Sequence, residues 1–292
     1  MEPMHPDSAV HILACAKINL GLEVLRKRPD GYHDIRSVFA SIDLADSIEV
    51  HPSTTIEVLC EPAMTAAPEQ NLAYRAAQAI LAHPSAAGLG AKIVLRKRIP
   101  AGGGLGGGSS DAAAVLRAVR AMYALPIPDQ DLHHMALSIG SDVPYFLIGG
   151  TALVEGRGEV ITPISLHLPY HVVVVVPHIH VPTATAYAGI KTREDNTVQE
   201  FLQILDNTHS YKLHLHNRFE EGIFLQHPVL KDVKDALYEK GALYASMSGS
   251  GSTMYGLFPH VDNFAAQLRE TYPHMDVIDC SFVTAPPPIV RL

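Results

Sequence analysis

The chain has 292 residues, 47% hydrophobic and 18% charged, a composition that can bury a core in one large or two ordinary domains and excludes a disordered chain. Lys and Arg total 22 against 30 Asp and Glu, and the resulting −8 argues against a general nucleic-acid binder, so any bound anion must be held locally. No apolar run approaches the ~20 residues of a membrane span, and the amino-terminal stretch, with Glu2 and Asp7 ahead of a short run interrupted by His11, does not read as a signal peptide, which makes the cytoplasm the expected compartment.

Short β-branched stretches at 10–15, 18–25, 35–42, 47–51 and 56–60 predict consecutive strands, several of them antiparallel. Between the second and third lies Pro29-Asp30-Gly31-Tyr32-His33, whose Asp-Gly pair suits a turn needing positive φ. Residues 71–83 place Leu72, Ala76, Ala79 and Ile80 on one helical face, and 91–97 returns to a strand. Gly102-Gly103-Gly104-Leu105-Gly106-Gly107-Gly108 follows, then Ser109, Ser110 and Asp111, which read as caps of an alanine-rich helix over 112–122. A helix over 129–139 stops at Gly140, and Ser141-Asp142-Val143-Pro144 suits a further short helix with proline in its first turn. Residues 151–161 read as a hairpin around Glu155-Gly156-Arg157-Gly158. After a composition shift at 166–170, a strand over 172–176 opens a second half with helices near 198–205, 217–225 and 229–239. The loop Ser248-Gly249-Ser250-Gly251-Ser252 joins two apolar stretches, and Pro286-Pro287-Pro288 reads as exposed and extended. Cys15, Cys60 and Cys280 lack CxxC spacing and read as reduced thiols. The expected organisation is two α+β domains, residues 1–165 and 166–292, with a glycine-rich loop in each.

Six glycines in seven positions lose much backbone freedom on folding, so something must require them. Placed between a strand and a helix start, they let backbone N–H groups converge on an anion at the positive helix end, and phosphate is the expected anion. No lysine follows them as GxxxxGK[ST] demands, and the interrupting Pro100, with no acid-tipped strand after the helix, speaks against a Rossmann domain. Of two basic triplets, Arg26-Lys27-Arg28 and Arg96-Lys97-Arg98, the second adjoins the loop and makes Lys97 a candidate nucleotide contact. Taken singly, Asp142 reads as a helix cap and Lys17 as an ordinary strand lysine. The pairs His178/His180 and His214/His216 offer no third ligand at a recognisable spacing, so no metal site is expected from them.

In chain order, Ala16-Lys17-Ile18-Asn19-Leu20, Asp30-Gly31-Tyr32-His33, Ile99-Pro100 through Gly102 to Ala113, Gly140-Ser141-Asp142-Val143-Pro144 and the Ser248 to Ser252 loop resemble the motifs of the 4-diphosphocytidyl-2-C-methyl-D-erythritol kinase family. That family belongs to the kinase superfamily named for galactokinase, homoserine kinase, mevalonate kinase and phosphomevalonate kinase, and the likeness runs from about Ala14 to the carboxyl terminus. The resemblance implies the superfamily's α+β fold, a ribosomal-protein-S5-like amino-terminal domain and an α/β-sandwich carboxyl-terminal domain, with the active site in the cleft between them. It implies ATP-dependent phosphorylation of the 2-hydroxyl of 4-diphosphocytidyl-2-C-methyl-D-erythritol, a step in non-mevalonate isoprenoid precursor synthesis. By the matched positions, Pro100, Gly102, Gly103, Gly104, Leu105, Gly106, Gly107, Gly108, Ser109 and Ser110 would wrap the ATP phosphates, with Asn71, Leu72 and Lys97 near the adenine. Lys17 and Asp142 would flank the reacting hydroxyl. Asn19, Thr183, Ser248, Gly249, Ser250 and Gly251 would contact the substrate, and Tyr32, His33 and Tyr187 its cytosine.

Mg²⁺ is expected with ATP, but no acidic residue matches the superfamily's magnesium-binding glutamate, so its ligands are unknown. Cys15 stands where the family more often has proline. The expected partners are the two small-molecule substrates, with no nucleic acid and no membrane; oligomeric state cannot be read from the sequence. The residue types suit the chemistry: a hydroxyl is a poor nucleophile until its proton has somewhere to go, and Asp142 could accept it while Lys17 favours the developing alkoxide. The rival readings are a superfamily kinase for another small alcohol, a non-catalytic nucleotide or phosphate sensor, and a nucleic-acid module related to the ribosomal-protein-like fold of the amino-terminal half, which fits poorly with the −8 and the lack of a basic-aromatic stripe.

Overall fold

The computed structural model describes residues 8–63, 67–188, 190, 192 and 196–292, so Glu2 and Asp7 lie outside the described residues. Two long strands, β1 (Val10–Lys27) and β2 (His33–Ser53), pair antiparallel through a turn in which Gly31 takes φ +87°. The breaks expected inside each are bulges instead: the register shifts at Cys15/Ala16, Leu20/Leu22 and Val24/Arg26, which bends the ribbon without ending it. The first half continues with β3 (Ile56–Glu61), α1 (Leu72–Leu81), β4 (Gly90–Arg96), α2 (Gly107–Met122), α3 (Asp129–Ile139), α4 (Val143–Ile148), β5 (Thr151–Gly156) and β6 (Val160–Pro163). The second half holds β7 (His171–Val176), α5 (Thr183–Ala188), α6 (Val198–Leu205), α7 (Thr208–His214), α8 (Phe219–Gln226), α9 (Pro228–Glu239), β8 (Tyr244–Met247), β9 (Met254–Phe258), α10 (Phe264–Thr271) and β10 (Asp276–Ser281) before β11 (Val290–Arg291).

The first sheet runs β11-β1-β2-β4-β3, with β5 and β6 branching from β2; the second runs β10-β7-β9-β8 and is antiparallel throughout. All five valines of β7 are buried, because both faces of this strand are covered. One apolar cluster (Ile48, Ile93, Ala112, Leu116) lies under α1 and α2, and another (Val173, Leu230, Leu237, Leu268) fills the second half and takes in Leu22, Val24 and Ile35 from β1 and β2. A third joins Ile18, Leu20 and Val38 to Val172, Val174 and Tyr255, so the halves meet through a shared core. The chain crosses between them after Pro163. It then returns: Phe282 bridges Ile42, β11 pairs with β1, and Arg117 Nη2 donates to the Pro287 carbonyl (2.9 Å). Pro286 and Pro287 are therefore half-buried, not an exposed tail. Among the described residues no helix is long and apolar enough to cross a membrane.

Candidate active site

The passage from β4 into α2 lines a cleft of about 1090 Å³ between the halves. α2 begins earlier than its alanines suggest, and the expected serine caps are not caps: Gly106, in the left-handed region at φ +73°, precedes the first turn without any side-chain cap. Gly107, Gly108 and Ser109 consequently form the helix start, and their N–H groups, which have no intrahelical acceptor, border the cleft. Ser110 does not: it is buried and its hydroxyl donates to the Cys15 carbonyl (2.7 Å).

The two glycine loops interlock. A Cβ on Gly104 would lie 2.0 Å from the Ser248 carbonyl oxygen. Ser248 Oγ donates to the Gly104 carbonyl (2.9 Å), and the Thr253 N–H donates to that of Gly103 (3.2 Å). Gly106 is small for a different reason than phosphate approach, since a Cβ there would meet Phe146 Cζ at 2.6 Å. Gly106→Val is therefore expected to destabilise the ligand-free protein by about 2–5 kcal/mol, from a strained φ and overpacking together, as well as to weaken ADP binding. Urea unfolding beside ADP calorimetry checks this; normal stability with lost affinity would show that the Phe146 contact is unimportant.

Lys17, on β1, is buried and organises both loops. Its Nζ donates to Asn19 Oδ1 (2.6 Å) and the Gly104 carbonyl (2.9 Å) and sits 4.7 Å from the centre of the Phe39 ring. Asn19 Oδ1 also accepts the Gly249 N–H (2.9 Å), and its Nδ2 donates to Ser37 Oγ (2.9 Å). The Asn19 amide thus holds Lys17 and the second loop. Burial pushes the Lys17 pKa down, and the charge of Asp142 opposes that shift.

Asp142 occupies the N-cap position of α4, yet its side chain makes no capping hydrogen bond, which overturns the reading of this residue as a cap. The carboxylate lines the cleft, backed by the β5–β6 turn, where a Cβ on Gly158 would lie 3.5 Å from Oδ1.

Lys97 borders the cleft, but its ammonium is engaged: it donates to Asp111 Oδ2 (2.6 Å) and to Asp46 Oδ2. Asp46, fully buried, also accepts the N–H groups of Arg98 and Ile99 (2.8 Å for the latter). Burial, resisted by Lys97 and reinforced by Asp46, pushes Asp111 up to about 7. Burial pulls Lys97 down, but Asp111 and Asp46 outweigh it and raise the lysine above its ordinary value. Asn71 and Leu72 adjoin this end of the cleft, Asn71 accepting the Ala73 N–H (2.9 Å) as the cap of α1.

At the other end Thr183, Tyr187 and Ser250 line the cleft, with Thr183 Oγ1 and Ser250 Oγ 3.3 Å apart. Tyr187 stacks on His33 (centroids 5.1 Å, 19° between planes) and meets Phe219 edge-on (4.8 Å). Tyr32 is 56% exposed and lies beneath the Arg157 guanidinium, 4.8 Å from its ring centre. In this arrangement His33, not a gap, faces Tyr187. Burial, with a contribution from Lys27, lowers the His33 pKa and favours a neutral ring with one donor and one acceptor. Ser248 and Gly251 pack inward: Ser248 is buried, and a Cβ on Gly251 would lie 2.5 Å from Met247 Sδ. By sequence Arg157 reads only as a turn residue, although a cation between two glycines in a hairpin is a usable signal.

Residues 71–150 match the family described as GHMP kinases N terminal domain, and 193–274 that described as GHMP kinases C terminal. With that fold and a buried lysine and a carboxylate facing a glycine cradle, the chain is a small-molecule kinase of the GHMP class. A 4-diphosphocytidyl-2-C-methyl-D-erythritol kinase from Chlorobaculum tepidum is 40% identical over 253 residues, 85% of this chain and 88% of the relative. One from Chlorobium chlorochromatii is 41% identical over 271 residues, 89% and 93% of the two chains. A crystal structure of a 4-(cytidine 5'-diphospho)-2C-methyl-D-erythritol kinase superposes with a TM-score of 0.77 at 35% identity, covering 93% of this chain and 99% of that one. The homoserine kinase of Cytophaga hutchinsonii, at 16% identity, shares the fold, with a TM-score of 0.78 over 99% and 100% of the chains. The chain belongs to the 4-diphosphocytidyl-2-C-methyl-D-erythritol kinase family.

Proposed function

We propose that this cleft performs the ATP-dependent phosphorylation of the 2-hydroxyl of 4-diphosphocytidyl-2-C-methyl-D-erythritol, with Asp142 as the base and Lys17 as its electrostatic partner. The observation that carries the assignment is a carboxylate at a helix start that caps nothing and lines the same cleft as the lysine that grips the glycine loop, whose pKa its charge raises. The 2-oxygen bonds to the γ-phosphorus as the bond to the β–γ bridging oxygen breaks, ADP leaves, and the hydroxyl proton passes to Asp142. Little covalent chemistry falls to the protein in such a transfer, so positioning and charge stabilisation dominate. Lys17, fixed on the Gly104 carbonyl, ties acceptor and phosphate loop into one geometry.

The α2 start takes the phosphates, and Asn71, Leu72 and Lys97 border the adenine. Tyr32, His33, Tyr187 and Arg157 take the cytidine end, with Thr183 and Ser250 nearer the reacting carbons. Residues 1–165 and 166–292 then act as two walls, with 282–292 returning to the first, and we place the reaction in the cytoplasm. Mg²⁺ accompanies ATP, but the donor set makes no dedicated cage: among the described residues no group of three His, Cys, Asp or Glu could hold a metal. Asp111 and Asp276, which line the cleft, are paired with Lys97 and His178.

ADP release that requires the cytidine-bearing alcohol tests the reading; release unaffected by that alcohol would contradict it. Stacking gives a base affinity without identity, worth ~1–3 kcal/mol, whereas identity needs hydrogen bonds to its edge. Tyr32→Ala is therefore expected to raise KM for the cytidine substrate and its uridine analogue alike. His33→Ala should erode the preference between them, read as the ratio of their kcat/KM values. An unchanged ratio would assign base reading to backbone groups.

A further inference from the structure

We infer that His180 is a contact for the ATP polyphosphate, presented to the glycine loop from the opposite half of the chain; the inference rests on the reading that nucleotide phosphates lie at that loop. His178, just after β7, takes φ +54°, a conformation a non-glycine residue rarely adopts and one that concentrates at functional sites. The turn it makes is pinned twice. His178 Nε2 lies 3.2 Å from Asp276 Oδ2 at the start of β10, and the buried Ser252, from the second glycine-serine loop, donates its hydroxyl to the Ile179 carbonyl. The ring of His180 is thereby held against the phosphate loop: a Cβ built on Gly102 would meet its Nδ1 at 3.2 Å. His180 is exposed, lines the cleft, and makes no hydrogen bond or ion pair among the described residues.

A triphosphate is a multiply charged acceptor that takes charge-assisted hydrogen bonds from every donor its site presents. The glycines are followed by no lysine; Lys17 has two of its three N–H donors on Asn19 and the Gly104 carbonyl, Lys97 has two of its three on Asp46 and Asp111, and the exposed Arg98 is the other cation bordering this end of the cleft. The α2 start contributes roughly half an elementary charge. An imidazole N–H or imidazolium beside Gly102 adds a donor to phosphate oxygens from the wall facing that helix.

The test compares dissociation constants for adenosine, ADP and ATP, by calorimetry, in the wild-type protein and in His180→Ala. We expect ATP and ADP to bind about 10- to 150-fold more weakly, as for loss of a hydrogen bond to a charged group, while adenosine affinity and KM for the alcohol substrate stay within about twofold. His180→Lys, which keeps an N–H donor at that position, is expected to return ATP affinity to within about threefold of wild type. Unchanged ATP affinity in His180→Ala overturns the inference, and so does an equal loss for adenosine and ATP, which would mean that the loop itself had moved. Failure of the underlying reading looks different: the wild-type protein would then gain no affinity from adenosine to ATP.

Discussion

Asp142→Asn is expected to lower kcat by about 10²- to 10⁴-fold, the usual contribution of a general base, while leaving ATP affinity within about twofold of wild type. An amide keeps the size of the carboxylate but cannot accept the hydroxyl proton. Fold stability should hardly change, because the native side chain caps no amide of α4 and so no helix contact is lost. Steady-state rates, ATP calorimetry and thermal unfolding separate these effects. Retention of more than about a tenth of the rate would place the base elsewhere.

Lys97→Met should cost about 3–5 kcal/mol of stability at pH 8, since removing one partner of a buried ion pair strands the other, and here two carboxylates, Asp46 and Asp111, are stranded together. The pH dependence has a definite sign. Asp111 titrates at about 7 in the folded protein against its ordinary 3.8, so between those values the native state holds the extra proton and stability falls as pH rises through the window. Without Lys97 the native state should hold that proton still more tightly, so the deficit is largest above pH 7 and shrinks towards pH 5. Urea unfolding at pH 5 and pH 8 measures it. A loss below about 1 kcal/mol at both would make Lys97 a nucleotide contact without a structural duty.

Local signals made much of this molecule legible. The Asp-Gly turn, the helices at 129–139 and 198–205, and a glycine loop leading into a helix depend on neighbours in sequence, and the structure has them at those places. Long-range pairing was not legible. Asp46 holds Lys97 because β2 and β4 set Ser47 opposite Arg96, and nothing in the residues around Asp46 announces a partner 51 positions away. Asn217 looks like any polar residue before a helix, yet its Nδ2 donates to the carbonyls of Met247 (2.7 Å) and Gly249 (2.8 Å), which holds the second loop in place. β1 and β2 each read as two strands because bulges put polar residues where alternation fails. α7 is not legible because Thr-His-Ser-Tyr-Lys-Leu-His carries almost no apolar period; among its described side chains Tyr211 alone is deeply buried. Motif order brought Lys17 and Asp142 into one hypothesis, and the cleft supplies what order could not: Lys17 bonded to the phosphate loop and Asp142 left open.

The most direct measurement is the identity of the product formed from ATP and 4-diphosphocytidyl-2-C-methyl-D-erythritol, with phosphorus and carbon NMR locating the new phosphate. The account predicts ADP and a single phosphomonoester in equal amounts, with the phosphate on the oxygen of carbon 2. Phosphate on another hydroxyl, or ADP formed no faster than without the alcohol, would contradict it.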